Sequence, residues 1–276
     1  MASKTAKAIG ILRGLGKILV AFSGGVDSSV LAALAKKALG PQAVLLATVD
    51  SPLVPRADLV DAVAVAEQLG LRHLVLKLNE LEDIPGFRGN PPERCYLCRR
   101  YRFSKLLELA AEEGLVVVDG TNADDLSENR PGLRATEEPG VRSPLAEAGL
   151  TKKEIRALAS ELGLPVAGKP HNSCLATRIP FGEEITEGRL RRIERAEEAI
   201  REILPGHYVL RVRDHGALAR IEVPPDLFPS FLEPSMREEI VDALRSVGYK
   251  LVCLDLGGYR PYEPAAGQDR ALSTSK

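Results

Sequence analysis

The sequence predicts an α/β fold: a doubly wound parallel sheet, followed by a second, smaller α+β domain. Three observations carry that expectation. Apolar runs of strand length at 17–22, 43–49, 73–78 and 115–119 are separated by segments of helical period. The first run passes into its helix through two adjacent glycines, Gly24 and Gly25. From Gly188 the pattern changes to a charged helix and to strands that alternate apolar with polar residues. The expected domains are 1–184 and 185–276.

Each element has its own signal. Residues 17–22 read as a buried strand, and Ser23-Gly24-Gly25-Val26-Asp27-Ser28-Ser29 leads from it to a helix over 30–39, closed by Gly40 and Pro41. Gly14-Leu15-Gly16, upstream, precedes its strand and lacks a third glycine, so it reads as a helix stop. The second strand, 43–49, is followed by a helix that Pro55 opens and Gly70 ends, with Leu59, Val63, Ala66 and Leu69 on one face. After the third strand, 73–78, comes a Pro/Gly-rich loop at 84–92, then a helix over about 96–113 and the fourth strand, 115–119. The polar stretch 120–149 has no clear period, and a loop of that length inside a domain is usually functional. Thr151 with Glu154 forms a capping box for a helix that Gly163 stops. Beyond Gly188 the sequence predicts a helix over 189–204, strands at 208–213 and 218–223, a helix near 235–247 and a strand at 250–256. The residues after 261 carry little apolar content and are expected to be disordered.

Composition narrows the function. In 276 residues, 37 Lys+Arg against 38 Asp+Glu give a formal net charge of −1, which supplies no global field for a polyanion such as tRNA. No stretch is long and apolar enough for a signal peptide or a membrane span, so a cytoplasmic protein without a membrane or nucleic-acid partner is expected. Four cysteines in such a chain suggest metal binding or catalysis over a disulfide framework.

The strand, the Gly-Gly turn and the helix start make an anion cradle. Glycines let backbone approach a phosphate, the first N–H groups of a helix lack internal partners, and the helix dipole favours negative charge. Ser23, Ser28 and Ser29 add hydroxyls, and Asp27 is placed to hold Mg²⁺. No GxxxxGK[ST] occurs; the string resembles instead the SGGxDS pyrophosphate loop (PP-loop) of ATP pyrophosphatases, which cleave ATP between the α and β phosphates. Gly120-Thr121-Asn122-Ala123-Asp124-Asp125 opens at the same sheet edge. Gly120 and Asn122, with Thr48 on the second strand, complete the expected nucleotide contacts, although a turn followed by an Asx cap fits 120–125 equally well.

Cys95-Tyr96-Leu97-Cys98 is a CxxC among arginines, and Cys174 lies in His171-Asn172-Ser173-Cys174-Leu175-Ala176-Thr177-Arg178. A CxxC alone is compatible with a redox pair, half a zinc site, two ligands of an iron–sulfur cluster or buried thiols. Three cysteines beside a PP-loop point to a [4Fe–4S] cluster on Cys95, Cys98 and Cys174 with one iron free of thiolate. A bare catalytic or sacrificial Cys174 is one alternative, and zinc or inert thiols are the other. Cys253, inside an apolar strand, reads as core. Arg211 and Arg213 alternate on one strand and face the same way, either as a clamp for phosphate or carboxylates or as surface partners of Glu222 or Asp214. Glu194, Glu197 and Glu198 alternate with Arg191, Arg192, Arg195 and Arg201 as a salt-bridged exposed face.

In order, SGGVDSS, GTNADD, Asn129-Arg130-Pro131-Gly132, Arg142-Ser143-Pro144-Leu145, Lys169-Pro170 and Cys174-Leu175-Ala176-Thr177-Arg178 resemble the LarE family over about residues 10–260. The resemblance implies an ATP-dependent sulfur transferase in nickel-pincer nucleotide biosynthesis for lactate racemase. Its substrate would be pyridinium-3,5-biscarboxylic acid mononucleotide, adenylated on a carboxylate and converted to a thiocarboxylate, with an external sulfide donor. It also implies that Arg211 and Arg213 bind the substrate phosphate and that the protein is a homo-oligomer, a hexamer. The presence of both Cys95 and Cys98 favours members that relay sulfide through a cluster over those that sacrifice the cysteine matching Cys174. Arg178, four residues on, is a candidate to hold the acyl-adenylate near the sulfur. The rivals are an iron–sulfur tRNA thiolase and a non-enzymatic ATP-binding regulator.

Overall fold

The computed structural model describes residues 1–127 and 140–260. The chain divides into two compact units, Met1–Ile84 with Glu93–Lys169, and Pro85–Pro92 with the residues from Pro170 on. The Asn129-Arg130-Pro131-Gly132 motif and the tail after 261 lie outside the described residues.

The first unit runs α1 (Ala2–Leu15), β1 (Ile18–Ala21), α2 (Val26–Leu39), β2 (Val44–Asp50), α3 (Arg56–Leu69), β3 (Arg72–Lys77), α4 (Glu80–Asp83), α5 (Arg94–Glu113), β4 (Val116–Val118), α6 (Ala123–Ser127), β5 (Val141–Arg142), α7 (Pro144–Glu147) and α8 (Lys152–Glu161). Its five strands are ordered β3-β2-β1-β4-β5 and every pairing is parallel. The expected doubly wound sheet is therefore present, and all carboxyl strand ends lie at one edge. Alternation along the strands sorts the core. Ile18, Val20, Val44, Leu46 and Val118 pack against α1, α2, α3 and α8, while Leu19, Leu45, Ala47 and Val117 pack under Phe103, Leu106 and Ala110 of α5.

Three local expectations shift. The buried stripe of α3 is Ala62, Val65, Ala66 and Leu69, with Val63 exposed, because Ala62 is the residue that meets the Gly24 backbone. The third strand is an edge strand, so Leu74 and Val75 stay exposed. The polar stretch 120–149 holds a two-residue strand, β5, too short to leave a period in the sequence. Gly16, with φ 75°, ends α1 as read.

The second unit runs α9 (Glu187–Ile203), β6 (Arg211–His215), β7 (Leu218–Glu222), α10 (Phe228–Leu232), α11 (Pro234–Ser246) and β8 (Leu251–Leu254). Its sheet is ordered β6-β7-β8, antiparallel then parallel. Ala196 and Ile200 of α9 and Ile240 and Leu244 of α11 pack on Val212, Ala219 and Ile221. Cys253 is only half-buried on β8, an edge strand of this sheet, rather than in the core.

The sequence places residues 170–184 with the first domain, whereas here they group with the second unit. Polar groups hold them there: Arg211 donates to His171 O (2.7 Å), Arg213 to Thr177 O (2.7 Å) and Arg178 to Glu197 (3.0 Å). The loop 85–92 joins them through Gly182 N to Asn90 O (3.1 Å), Ile185 N to Arg88 O (2.8 Å) and Asn90 Nδ2 to Pro180 O (2.7 Å).

Candidate active site

In the first unit, β1 ends where Phe22 leads into Ser23-Gly24-Gly25. Gly24 has φ 68°, and a Cβ there would sit 2.6 Å from the Ala62 backbone, so only glycine fits. Gly25 is the N-cap of α2 and no side chain caps it, so the first N–H groups of that helix keep their anion-binding capacity. Ser28 Oγ donates to Gly25 O (3.2 Å), accepts from Ser23 N (3.3 Å) and lies 3.1 Å from Ser23 Oγ, which pins the turn. Ser29 is fully buried, and its Oγ has no hydrogen-bond partner among the described residues.

Thr48 lies beside this turn. Its hydroxyl donates to Phe22 O (2.7 Å), so the contact with His73 Nε2 (2.7 Å) requires the Nε2–H tautomer of a ring that burial keeps below the ordinary histidine pKa. Both functions of the Thr48 hydroxyl are thus used within the fold, and it steadies the strand end from which the loop springs.

Asp27 is the acidic group of the loop. Lys152 Nζ pairs with Asp27 Oδ2, and Asn122 Nδ2 reaches Oδ1 at 3.5 Å. Asn122 also caps α6 through Asp124 N (2.9 Å) and Asp125 N (3.2 Å), so the Asx cap and the reach toward the loop coexist. A Cβ on Gly120 would lie 3.0 Å from Ser28 N, the measure of how closely the two loops approach. Lys152 went unread in the sequence, where its signal is the first helical position after the Thr151 capping box.

Cys95 and Cys98 sit one turn apart on α5 and therefore share a face. Arginines fasten this turn to the same sheet edge. Arg99 donates to Asp119 Oδ2 (2.6 Å) at the end of β4. Arg102 donates to the fully buried Glu80 (2.6 Å) and to Ser51 Oγ (3.0 Å) past the end of β2, and Cys98 Sγ lies 3.8 Å from Glu80 Oε1.

In the second unit, Cys174 caps the short turn Leu175–Arg178. Arg178, fully buried, donates from NH1 to Ser173 O (2.7 Å) and Cys174 O (3.0 Å), from NH2 to Asn172 Oδ1 (2.9 Å) and from Nε to Glu197 Oε1 (3.0 Å). Its donors thus go to the loop and to Glu197, which makes it a brace for Cys174. Glu197 belongs to this buried brace and not to an exposed face. Burial alone would push its carboxyl up, but Arg178, Arg211 and Arg201 outweigh that and hold it below the ordinary range. Arg211 and Arg213 share one face of β6. Arg213 pairs with Glu222 (2.8 Å), whereas Arg211, 2% exposed, donates to Leu210 O (2.8 Å) and His171 O (2.7 Å) and to no carboxylate among the described residues. Burial and the neighbouring Arg178 bring Arg211 down to about 10, so it remains charged at neutral pH. Asp214 pairs with Arg189 and Arg192 instead.

All four cysteines are free thiols. Thiols have the donor chemistry that iron–sulfur clusters take. Among the described residues no group of three or more His, Cys, Asp or Glu is arranged to hold a metal ion.

The NAD synthase family profile matches residues 12–170, the stretch that carries the loop. An uncharacterized protein of Synechocystis sp. is 41% identical over 89% of this chain and 91% of its own. A tRNA-specific 2-thiouridylase of Azorhizobium caulinodans is 34% identical, over 63% of this chain and 54% of its own. The pyridinium-3,5-bisthiocarboxylic acid mononucleotide synthase of Lactiplantibacillus plantarum is 34% identical over 94% of this chain and 93% of its own. With a PP-loop domain at its start and that likeness running through both units, the chain belongs to the LarE family.

Proposed function

We propose that this protein is an ATP-dependent sulfur transferase that adenylates a carboxylate of pyridinium-3,5-biscarboxylic acid mononucleotide and exchanges it for a thiocarboxylate. The observation that carries the reading is the near full-length likeness to the Lactiplantibacillus synthase. The uncapped start of α2 behind Gly24 and Gly25 supports the ATP half of the reaction.

A carboxylate is a poor electrophile. Its oxygen attacks the α-phosphorus of ATP, the α–β bond breaks, and pyrophosphate leaves. The N–H groups at the start of α2, with Ser23 and Ser28 shaping the turn, receive the charge that develops on the phosphates. Asp27, with Asn122 beside it, is the residue that would hold Mg²⁺, which shields that charge when bound. Gly120 lets the second loop approach. Arg211 and Arg213 take the substrate phosphate, Arg211 most strongly because its charge is opposed by no directly bonded carboxylate. Sulfide then attacks the acyl carbon and AMP departs. Cys95, Cys98 and Cys174 would hold a [4Fe–4S] cluster, which when bound supplies sulfur at the level of sulfide. Arg178 fixes the Cys174 turn throughout.

The thiouridylase likeness keeps a tRNA thiolase as the rival, but it covers 63% of this chain, and the net charge of −1 supplies no overall positive field for tRNA. On the proposed reading the product feeds the nickel-pincer cofactor of lactate racemase, in the cytoplasm, and the working form is a homo-oligomer, a hexamer.

The test is direct. The protein is incubated with ATP, Mg²⁺ and the dicarboxylate, and pyrophosphate is measured; with sulfide added, mass spectrometry should show oxygen replaced by sulfur in the nucleotide. No pyrophosphate release with this acceptor, together with steeply salt-dependent tRNA binding, would overturn the proposal in favour of the thiolase.

A further inference from the structure

We propose that Arg99 is a positioning residue that couples the nucleotide loop to the CxxC turn, so that nucleotide binding is felt at the Cys95 and Cys98 thiols. The inference rests on the nucleotide-site reading above and adds to it a means by which activation and sulfur delivery are kept in step.

Arg99 directly follows Cys98. Its NH2 donates to Asp119 Oδ2 (2.6 Å) and Thr121 Oγ1 (3.2 Å). Asp119, buried at the end of β4, also accepts from Ser143 Oγ (2.6 Å), Thr121 Oγ1 (2.7 Å) and Thr121 N (3.2 Å). The next residue, Asn122, reaches Asp27 on the nucleotide loop at 3.5 Å, and Gly120 packs against Ser28. Every link from Cys98 to Asp27 is thus a covalent bond or a hydrogen bond. One turn further along α5, Arg102 is fixed to Glu80 and Ser51. The thiol-bearing turn is thus tied to the sheet edge through Arg102 and, through Arg99, to the residues that reach the nucleotide loop. A ligand that claims Asp27 changes what Asn122 bonds, and Thr121 and Asp119 pass that change to Arg99. Asp119 is 6% exposed at its side chain, so its pairing with Arg99 is not readily exchanged for water.

The experiment uses the full-length, reduced, metal-free protein. Iodoacetamide alkylation rates at Cys95 and Cys98 are read by mass spectrometry with and without α,β-methylene-ATP and Mg²⁺, and binding of the analogue is measured by calorimetry. In the wild type the analogue should change the rates on the order of fivefold. Arg99→Gln should bind the analogue normally and lose the change, while Arg99→Lys, which keeps a donor and the charge, should restore part of it. The double variant Arg99→Gln/Asp119→Asn removes the stranded buried charge, so the same loss there separates uncoupling from misfolding. A full nucleotide effect in a folded Arg99→Gln protein overturns the coupling, as does a wild type that binds the analogue without any change at the thiols. Failure of the wild type to bind the analogue overturns the nucleotide-site reading and the coupling with it.

Discussion

At the scale of single residues, two arginines of the second unit make opposite predictions. Arg178 is fully buried against Glu197, so Arg178→Ala removes the guanidinium bonded directly to that buried carboxylate and should cost about 3 kcal/mol of stability, read as a lowered thermal midpoint. Among the described residues Arg211 donates to backbone carbonyls and to no carboxylate, so Arg211→Ala should hold the fold more nearly intact and weaken substrate binding by roughly tenfold or more, with ATP affinity unchanged. Equal loss of ATP affinity would place Arg211 at the wrong ligand. Lys152 makes a third. Lys152→Ala removes the ammonium from Asp27 and should weaken ATP binding about tenfold or more in the Mg²⁺-free protein, measured by calorimetry. The turn after β1 was legible because two adjacent glycines between an apolar run and a helical period mark a strand-to-helix turn. Lys152 and Glu197 were not, because a lysine at a helix start and a glutamate in a run of charges look solvated until the chain is folded around them.

The elements were legible wherever a local rule acts alone. The capping box at Thr151 and Glu154 formed as read, with both reciprocal bonds present. What local rules do not contain is which face another element will cover, and so the α3 stripe and the exposure of β3 came out differently. The capping box also predicts a pH dependence. The Thr151 amide and Lys4 pull Glu154 down to about 2, below its unfolded value of roughly 4.3. The stabilisation is therefore complete above the unfolded value and lost as pH falls toward 2. Glu154→Gln should lower the thermal midpoint at neutral pH, and the gap to the wild type should close as pH falls through that window. A gap that persists at pH 2 would mean the carboxylate charge is not what matters. Gly24→Ala tests the turn itself. With φ 68° and the Ala62 backbone 2.6 Å from the new Cβ, it should lower stability and abolish nucleotide binding, measured by denaturation and calorimetry.

For the whole molecule the open chemical choice is the sulfur source. If Cys95, Cys98 and Cys174 share one cluster, anaerobic protein should carry about four irons per chain, lose them on any single replacement, and turn over repeatedly with sulfide. A sacrificed Cys174 predicts one turnover, loss of H₂S mass at that residue, and tolerance of Cys95→Ala. Colourless, iron-free protein carrying dehydroalanine at position 174 after reaction would decide for the second chemistry. The domain plan was legible as a large and a small body, but the loop at 84–92 gave no sign of its destination, since a Pro/Gly-rich segment of any allegiance reads alike.

That loop has a consequence for synthesis on the ribosome. Pro85–Pro92 emerges early, yet its partners Pro180, Gly182 and Ile185 follow about ninety residues later. At elongation rates of about 5–20 residues per second, the segment waits for several seconds before those partners are made. A slowed translation pause between 93 and 170 should therefore raise the misfolded fraction, and a nascent chain halted at 169 should be cleaved by protease within 85–92 while one released at full length resists.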